Sequence, residues 1–379
     1  MKEIRIGIIG TGIIAHQHAE GYAKVPGVKI TAACDLQRPK LEKFCTQYKI
    51  ENLYDNFREM LKRDDLDAID VCLHNNLHAP VSIETMRSGK HCYCEKPMAG
   101  SYVDAAAMLA ASEETGKRLH IQLSMLYSAS THAAKKLIAA GLVGEIYHAR
   151  SYGYRRRGRP FVDGYGEKEF NSKYWASGGA LYDMGVYHIS QMLFVLGMPK
   201  VERVSGQVYQ KLDMHEGRRK EGGFDVEELG IGLVKFSGGL TMDLIESWAI
   251  NAAQFPPSFV AGSKGGFSLG DELIFTSEMA GYPAETKFDL GAEVYRTHQI
   301  DPALALYDNS IAHWIGALRG ECELLDTKRI ALETMLVSEG IYQSGAKGRE
   351  VTAEEIRHES VPSYVREQET AFGTLKYSL

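Results

Sequence analysis

Short apolar runs alternate with longer segments of mixed polarity through the first third of the chain. Apolar runs of this length predict buried strands, and the segments between them have the length and spacing of helices. Strands that alternate with helices over short connections predict a parallel, doubly wound sheet. The predicted strands are Ile4–Ile9, Val28–Cys34, Ala68–Leu73, His91–Cys94 and Arg118–Leu123, and the predicted helices are Ala15–Lys24, Pro39–Tyr48, Asn56–Lys62, Ala79–Ser88 and Tyr102–Thr115.

The pattern changes after about residue 125, where one helix is followed by longer strands with period-two alternation. We therefore expect an α/β domain over residues 1–125 and an α+β domain with a large open antiparallel sheet over residues 126–379. Ser237-Gly238-Gly239 predicts a hairpin turn, and the charged stretch Asp213–Asp225 predicts a solvated loop. The other predicted elements are the helix Thr131–Ala140, the strands Glu145–Arg155, Val201–Gln210, Leu229–Phe236 and Leu240–Trp248, and a late helix, Thr327–Ser344, that could pack back on the first domain.

A glycine turn follows the first predicted strand directly. The run Gly10-Thr11-Gly12-Ile13-Ile14-Ala15 joins that strand to a helix, and Asp35 follows the second strand. This spacing is typical of a dinucleotide-binding βαβ unit. The glycines allow a tight turn and close approach of a pyrophosphate to the helix N-terminus, while Asp35 can accept hydrogen bonds from an adenine ribose. Asp35 favours NAD over NADP, whose 2′-phosphate it would repel, and Arg38 nearby weakens that preference slightly.

Composition narrows the classes of protein. The chain has 379 residues, more than one typical core, with 44% hydrophobic and 24% charged residues as in ordinary water-soluble proteins. Its net charge of −6 gives no electrostatic case for binding nucleic acid or an anionic membrane. No signal-peptide pattern and no apolar stretch of roughly 18 residues occur, so we expect a cytoplasmic protein.

The cysteines predict buried thiols rather than disulfides or zinc ligands, because most lie in apolar, strand-like runs and none forms a CxxC pair. No HExxH or paired-carboxylate motif occurs, so we expect no metal. The six cysteines are Cys34, Cys45, Cys72, Cys92, Cys94 and Cys322.

Polar residues follow two strands of the first domain, at the edge where ligands bind in doubly wound sheets. Lys96, in Glu95-Lys96-Pro97, can hydrogen-bond a substrate hydroxyl and take part in proton transfer; taken alone, a surface lysine after a strand is the more common alternative. Asn75 and His78 can hold a ribose or an amide of the cofactor. Helix capping by Asn75 or Asn76 is the alternative.

The richest segment of the second domain runs from Trp175 to His188. A Gly-Gly turn precedes a helix that bears Asp183, Tyr187 and His188, which together can position a hydroxyl and accept its proton. The alternative is an early-helix acid and a core histidine. Earlier in the domain, Arg155 and its neighbouring arginines could clamp an acidic or polyhydroxy substrate, and a solvated edge is the more common alternative.

These positions together resemble the Gfo/Idh/MocA oxidoreductase family over essentially the whole chain, in order. The Glu-Lys-Pro element is the most specific part. The motifs that carry the resemblance are Gly10-x-Gly12-x-Ile14-Ala15-x-x-His18, Asn75-x-x-His78, Gly89-Lys90-His91-x-x-Cys94-Glu95-Lys96-Pro97, Gly141-x-x-Gly144-Glu145-Ile146 and Gly178-Gly179-x-Leu181-x-Asp183-x-Gly185.

The resemblance implies an N-terminal Rossmann domain, a C-terminal open antiparallel sheet, a substrate at their junction, NAD or NADP, and homodimers or homotetramers formed through the large sheet. It implies that Lys96 lies near the reacting carbinol and that Asp183 orients substrate or Lys96. The predicted cofactor contacts are Gly10, Thr11, Gly12, Ile13, Ile14, Asp35, Arg38, His74, Asn75, His78, Glu95, Lys96 and Trp175, and the predicted substrate contacts are Lys96, Tyr154, Arg155, Asp183 and His188.

The chain departs from the family pattern at two places. Leu73-His74 stand where many members have Thr-Pro. Inositol-dehydrogenase-like members place a catalytic histidine four residues after the aspartate, where this chain has Tyr187, and His188 comes one later. Helix geometry favours Tyr187 as the acid/base, while the ordinary histidine pKa of about 6.5 suits neutral-pH proton transfer. A one-residue irregularity at the helix start would present His188, which we favour.

We therefore expect an NAD-dependent dehydrogenase that oxidises a secondary hydroxyl of a sugar, glycoside or inositol, with C3 of a glucoside as the specific position and a cofactor that can stay bound between turnovers. A redox-assisted, NAD-dependent glycosidase is the second hypothesis. A nucleotide-binding regulator without chemistry is the third, and the presence of Lys96, Asp183 and the Tyr187-His188 pair argues against it.

Overall fold

The computed structural model describes residues 2–270 and 272–379. The first part of the chain alternates strands and helices, as its apolar pattern predicts. Its six strands form one wholly parallel sheet in the order β3-β2-β1-β4-β5-β6. The elements are β1 (Ile4–Ile9), α1 (Ile13–Ala23), β2 (Val28–Cys34), α2 (Arg38–Tyr48), β3 (Asn52–Tyr54), α3 (Phe57–Leu61), β4 (Ala68–Val71), α4 (Asn75–Arg87), β5 (His91–Cys94), α5 (Tyr102–Thr115) and β6 (Leu119–Ile121).

The middle of the chain is dominated by longer strands. The elements are α6 (Ala129–Ala139), β7 (Ile146–Tyr154), α7 (Lys173–Ala176), α8 (Val186–Val195), β8 (Val201–Tyr209), α9 (Glu216–Gly222), β9 (Leu229–Phe236), β10 (Thr241–Ser247), β11 (Ser258–Gly262), β12 (Gly265–Leu269), β13 (Leu273–Met279), β14 (Tyr282–Lys287) and α10 (Leu290–Ile300).

The last part of the chain is mostly helical and ends in a hairpin. The elements are α11 (Ser310–Arg319), α12 (Thr327–Lys347), β15 (Val351–Thr352), α13 (Ala353–Glu359), β16 (Glu367–Thr370) and β17 (Gly373–Lys376). No helix in the described ranges is both long enough and apolar enough to cross a bilayer.

The second sheet has nine strands, in the order β14-β13-β12-β11-β7-β10-β9-β8-β15. It is mixed rather than purely antiparallel, because β7 and β10 run parallel while the other neighbours are antiparallel. The predicted hairpin is present: β9 and β10 pair through Lys235 and Thr241, and Gly238 and Gly239 both have positive φ. The fold class is thus an α/β Rossmann domain followed by a domain with a large, mostly antiparallel sheet.

The chain forms two compact units. The first comprises residues 1–122, 305–332 and 362–379, and the second comprises residues 123–304 and 333–361. The predicted boundary at residue 125 lies close to the first division. Two later segments that we assigned to the second domain instead belong to the first unit. Apolar packing explains one of them, since Ile311, Trp314 and Ile315 of α11 join the buried cluster of β1, α1 and α2.

The final hairpin is tied to the first unit by polar contacts. Arg58 donates to the carbonyl of Lys376 at 2.6 Å, and Asp104 accepts from the amides of Ser363 and Tyr364. Arg58 and Asp104 lie far in sequence from the backbone groups that they bind, so the periodicity of the local sequence does not predict these contacts.

Smaller differences from the predicted elements also have local causes. The stretch predicted as a solvated loop contains α9, which is capped by His215 and carries an Arg219–Glu216 ion pair at 2.9 Å. Five cysteines are buried and Cys322 is partly exposed. Burial raises the pKa of the Cys92 thiol to about 12, which suits a packing role.

Candidate functional site

The glycine turn after β1 fits a dinucleotide. Gly10 has φ +89°, and a Cβ there would overlap the carbonyl of Cys72, so a side chain is excluded. A Cβ on Gly12 would meet no atom within 4 Å, so the space beside that residue is open. α1 starts at Ile13 with no side-chain cap and no acidic residue in its first turn. Its unpaired N–H groups therefore suit a pyrophosphate.

Asp35 is held at the end of β2 by three donors. Its Oδ2 accepts from the amide and the hydroxyl of Thr11, both at 2.8 Å, and its Oδ1 accepts from the amide of Gln37 at 2.8 Å. This fixes the carboxylate directly beside the glycine turn, where it can meet a ribose. Arg38, by contrast, is paired with acids: Nε lies 2.8 Å from Glu42, and Nη1 lies 3.3 Å from Asp55.

The residues after β4 connect the start of α4 to the turn after β5. His74 occupies the N-cap position of α4, although its side chain does not cap the helix, and Asn75 is the first, buried residue of that helix. His78 is fully buried, with Nδ1 2.7 Å from the carbonyl of Pro97 and Nε2 3.0 Å from the carbonyl of Leu73. Burial lowers its pKa, although both carbonyls oppose the shift. These bonds tie α4 to the turn after β5, and the contact of His78 with a cofactor stays a prediction.

Lys96 follows β5 and is half-buried. Its amide donates to Oε2 of Glu95 at 2.9 Å. Oε1 of the same carboxylate lies 2.9 Å from Nε2 of His18. Glu95 is therefore a buried residue that fixes the backbone of Lys96, and its contact with a cofactor stays a prediction.

The second unit contains the irregularity that would present His188. Leu181–Gly185 form a π-helical turn that runs directly into α8. A π turn bonds residues five apart and adds one residue to the helix, so Asp183 and His188 come to share a face. In a regular α-helix Asp183 would instead share a face with Tyr187.

Asp183 has a donor and a nearby cation. The indole Nε1 of Trp248 donates to its Oδ2 at 2.8 Å, and Nη1 of Arg155 lies 4.0 Å from the same oxygen. Arg155 also donates to the hydroxyl of Tyr165. Trp248 is fully buried, whereas Arg155 remains substantially exposed. The indole therefore anchors the carboxylate of Asp183 from the protein interior, and the side of the carboxylate near Arg155 remains accessible.

His188 is paired with a buried acid. Its Nδ1 lies 2.9 Å from Oε2 of Glu246, whose side chain is fully buried, while 20% of the His188 side chain is exposed. Burial and the charge of Arg155 oppose protonation, but the charge and hydrogen bond of Glu246 outweigh them and raise the pKa of His188. The ring can therefore carry a proton near neutral pH.

Two predicted substrate or cofactor residues, Tyr154 and Trp175, each contact residues outside this cluster. Tyr154 alternates with Gly153 along β7, so it faces the opposite side of the sheet from His188, and its hydroxyl donates to the carbonyl of Ala252 at 2.5 Å. Trp175, in α7, makes an edge contact with Tyr174 at 4.8 Å between ring centroids. Tyr187, in α8, is partly buried.

Three functional candidates were missed from the sequence: Trp248, Glu246 and Glu227. Glu227 accepts from the amides of Gly179 and Leu181 at 2.7 and 2.9 Å and so holds the start of the helical segment. Glu246 left a readable signal, because period-two alternation places it on the apolar face of β10 with Met242 and Leu244.

Comparisons with known proteins agree with this geometry. A Gfo/Idh/MocA model, described as an oxidoreductase family with an NAD-binding Rossmann fold, matches residues 4–123. The model of the Gfo/Idh/MocA C-terminal domain matches residues 131–268, and together the two cover more than half of the chain.

Curated relatives include the D-glucoside 3-dehydrogenase of Escherichia coli K12, which is 28% identical over 72% of this chain and 79% of its own length. The 1,5-anhydro-D-fructose reductase of Ensifer adhaerens is 25% identical over 91% of this chain and 97% of its own. Among solved structures, an oxidoreductase from Agrobacterium radiobacter in complex with NAD+, L-tartaric acid and magnesium has a TM-score of 0.75 at 20% identity, covering 94% of this chain and 100% of its own.

Proposed function

Because this chain belongs to the Gfo/Idh/MocA oxidoreductase family, whose NAD-binding Rossmann domain it carries, we propose that it oxidises a secondary hydroxyl of a sugar or glycoside, or catalyses the reverse reduction. The observation that carries this proposal is the placement of Asp183, Arg155 and His188 around one widened helical turn. An anchored carboxylate beside a partly exposed imidazole can bind a hydroxyl and accept its proton. The relation to D-glucoside 3-dehydrogenase supports C3 of a glucoside as the position oxidised.

The cofactor is NAD, and the residues that would hold it are the Gly10 turn, the start of α1 and Asp35. When bound, it supplies the acceptor for the hydride that leaves the carbinol carbon. Asp35 would accept from the hydroxyls of the adenine ribose. Glu42 and Asp55 would compete with a 2′-phosphate for the guanidinium of Arg38, which supports NAD over NADP.

Three side chains handle the substrate hydroxyl in this proposal. Lys96 donates a hydrogen bond to the hydroxyl oxygen and stabilises negative charge that develops there. Asp183 orients the substrate. His188 takes the hydroxyl proton during oxidation and returns it during reduction, and its pairing with Glu246 supports His188 over Tyr187 as the acid/base.

The family resemblance also supports a homodimer or homotetramer formed through the nine-stranded sheet. Phe259 of β11 is only partly buried and lies on the opposite sheet face from the buried Val260, so a partner copy would find apolar area on that face. Light scattering on the purified protein measures the subunit number.

The decisive experiment is a turnover assay on the purified full chain with NAD and a panel of glucosides and inositols. Reduced nicotinamide is followed by absorbance and products are identified by mass spectrometry. Lys96→Ala is run beside Lys43→Ala, which removes an exposed lysine from α2.

We expect an oxidised glycoside that is lost in Lys96→Ala and retained in Lys43→Ala. Free aglycone without net reduction of NAD would instead indicate the redox-assisted glycosidase. No turnover of any polyol, in protein that still binds NAD, would favour the regulator without chemistry.

A further inference from the structure

A buried acid interrupts an otherwise apolar sheet face in the second unit. Glu246 lies on the same face of β10 as Met242 and Leu244, and its side chain is fully buried. A buried carboxylate without partners is strongly unfavourable. Glu246 has two: Nδ1 of His188 at 2.9 Å and the hydroxyl of Ser151, which donates to Oε1 at 3.2 Å.

The neighbouring strand leaves room for this pair. Gly153 of β7 lies directly opposite Glu246 of β10. A Cβ at position 153 would overlap Oε2 of Glu246 and both Cε1 and Nδ1 of His188. Glycine weakens a strand interior, so its use here points to the close approach of the carboxylate and the ring. The imidazole is thus confined from the sheet side, independently of its hydrogen bond.

We infer that Glu246 is a positioning residue for the acid/base His188. By accepting a hydrogen bond from Nδ1–H, it holds the ring in the tautomer and orientation that direct Nε2 to the substrate. This inference rests on the proposed function of His188. Glu246 does not touch substrate and acts only through the ring. During oxidation the O–H bond of the substrate breaks and its proton passes to Nε2, while the hydride of the carbinol carbon would pass to bound NAD. The hydrogen bond from Nδ1–H to Glu246 stays intact throughout.

Two charged groups bear on the ring from neighbouring elements. Glu246 of β10 favours the imidazolium, and Arg155, which follows β7, disfavours it along with burial. Removing only the charge of Glu246 therefore lowers the pKa of His188. Glu246→Gln serves this purpose, because its amide oxygen can still accept from Nδ1–H. Glu246→Ala removes the acceptor as well.

The chain supplies a matched control. Asp243 lies on β10 three residues before Glu246, on the opposite face, and pairs with His148 at 3.0 Å. Asp243→Asn thus removes one acid from an acid–histidine pair on the same strand without touching His188. Ser151→Ala is a milder second variant that removes one partner of Glu246 and leaves the ring bond in place.

The experiment measures two quantities on the full chain. The first is the titration and tautomer of His188 by nitrogen NMR, with the signal assigned through His188→Gln. The second is the pH profile of kcat/KM for glycoside oxidation. In Glu246→Gln we expect a lower pKa of His188, and the acid limb of the kcat/KM profile should move to lower pH. The plateau value of kcat/KM should fall roughly tenfold because His188 is then a weaker base. Asp243→Asn should leave both unchanged.

The outcomes separate the inference from the proposed function. If Glu246→Gln leaves the titration and tautomer of His188 unaltered, the positioning role is overturned whatever the activity. The role is also overturned if the NMR titration moves but the acid limb does not, since His188 is then not the acid/base. If the wild type oxidises no glycoside while the NMR shift occurs, the proposed function fails and the Glu246–His188 pairing stands.

Discussion

Oε1 of Glu95 lies 2.9 Å from Nε2 of His18, and the other nitrogen of that ring lies 2.9 Å from Oδ2 of Asp70. All three side chains are buried. Burial has the largest single effect and opposes charging of the ring, but the charge and hydrogen bond of Asp70, together with Cys72, raise the pKa of His18 well above its ordinary value. The charged ring bridges β4 to the turn that carries Lys96.

Replacing His18 by Gln should cost about 3–5 kcal/mol of unfolding free energy near pH 6, because it leaves two buried carboxylates without a cation. The pKa of His18 is raised in the folded state, so its stabilisation is fully present below the unfolded pKa of about 6.5 and is lost as pH rises through the folded value. Urea unfolding across pH measures the difference. His358→Gln, at an exposed position, is the control, and a pH-independent difference would contradict the charged bridge.

Replacing Asp35 by Ala should weaken NAD binding roughly 10- to 100-fold, because the adenine ribose loses its hydrogen-bond acceptor. The ratio of NAD affinity to NADP affinity should also fall, because the 2′-phosphate of NADP is no longer repelled by a carboxylate. Fluorescence titration with each cofactor measures both effects. Asp64→Asn removes an exposed acid from the same unit and should change neither. An unchanged ratio of the two affinities would exclude Asp35 from the ribose site.

Replacing Trp248 by Phe should lower kcat roughly tenfold and leave NAD affinity unchanged, because Asp183 loses the indole donor that fixes its inner oxygen. Steady-state kinetics and cofactor titration test the two parts. Trp314→Phe is a suitable comparison: Trp314 is also fully buried, and its indole nitrogen has no hydrogen-bond partner among the described residues. Equal losses of kcat in both variants would indicate a general packing effect.

The acid/base can be assigned by two single substitutions. His188→Gln should lower kcat/KM roughly 100- to 10,000-fold, the usual contribution of a general acid or base. Tyr187→Phe should cost less than tenfold, because the π turn places His188 rather than Tyr187 on the face of Asp183. The reverse ranking would identify Tyr187 as the group that moves the proton.

The sequence predicted most of the first unit because strand periodicity and glycine turns act locally. Ile4–Ile9 and Val28–Cys34 have their predicted bounds. α4 begins four residues before its predicted start, because Pro80 lies inside the helix instead of in its first turn. The strands β11 to β14 were not predicted: glycines and serines blur the alternation in β11 and β12, and Pro283 lies within β14.

The predicted site residues were recognisable by motif, but their supporting residues were not. Glu246 and Trp248 lie more than fifty residues from their partners, His188 and Asp183, and the contacts become visible only once the strands are paired. His78 and Glu95 show what a motif leaves out: the ring nitrogens of His78 and the carboxylate oxygens of Glu95 also bond within the protein, and the motif did not predict those bonds.

The π turn at Leu181–Gly185 changes how this chain can be compared with others. The turn takes up one extra residue without shifting the helix that follows. The number of residues between Asp183 and a later side chain therefore no longer tells which way that side chain points. A template with a fixed interval after the aspartate assigns the role of His188 to Tyr187. Deleting one residue from the turn would restore the regular interval and rotate every later side chain by about 100° relative to Asp183.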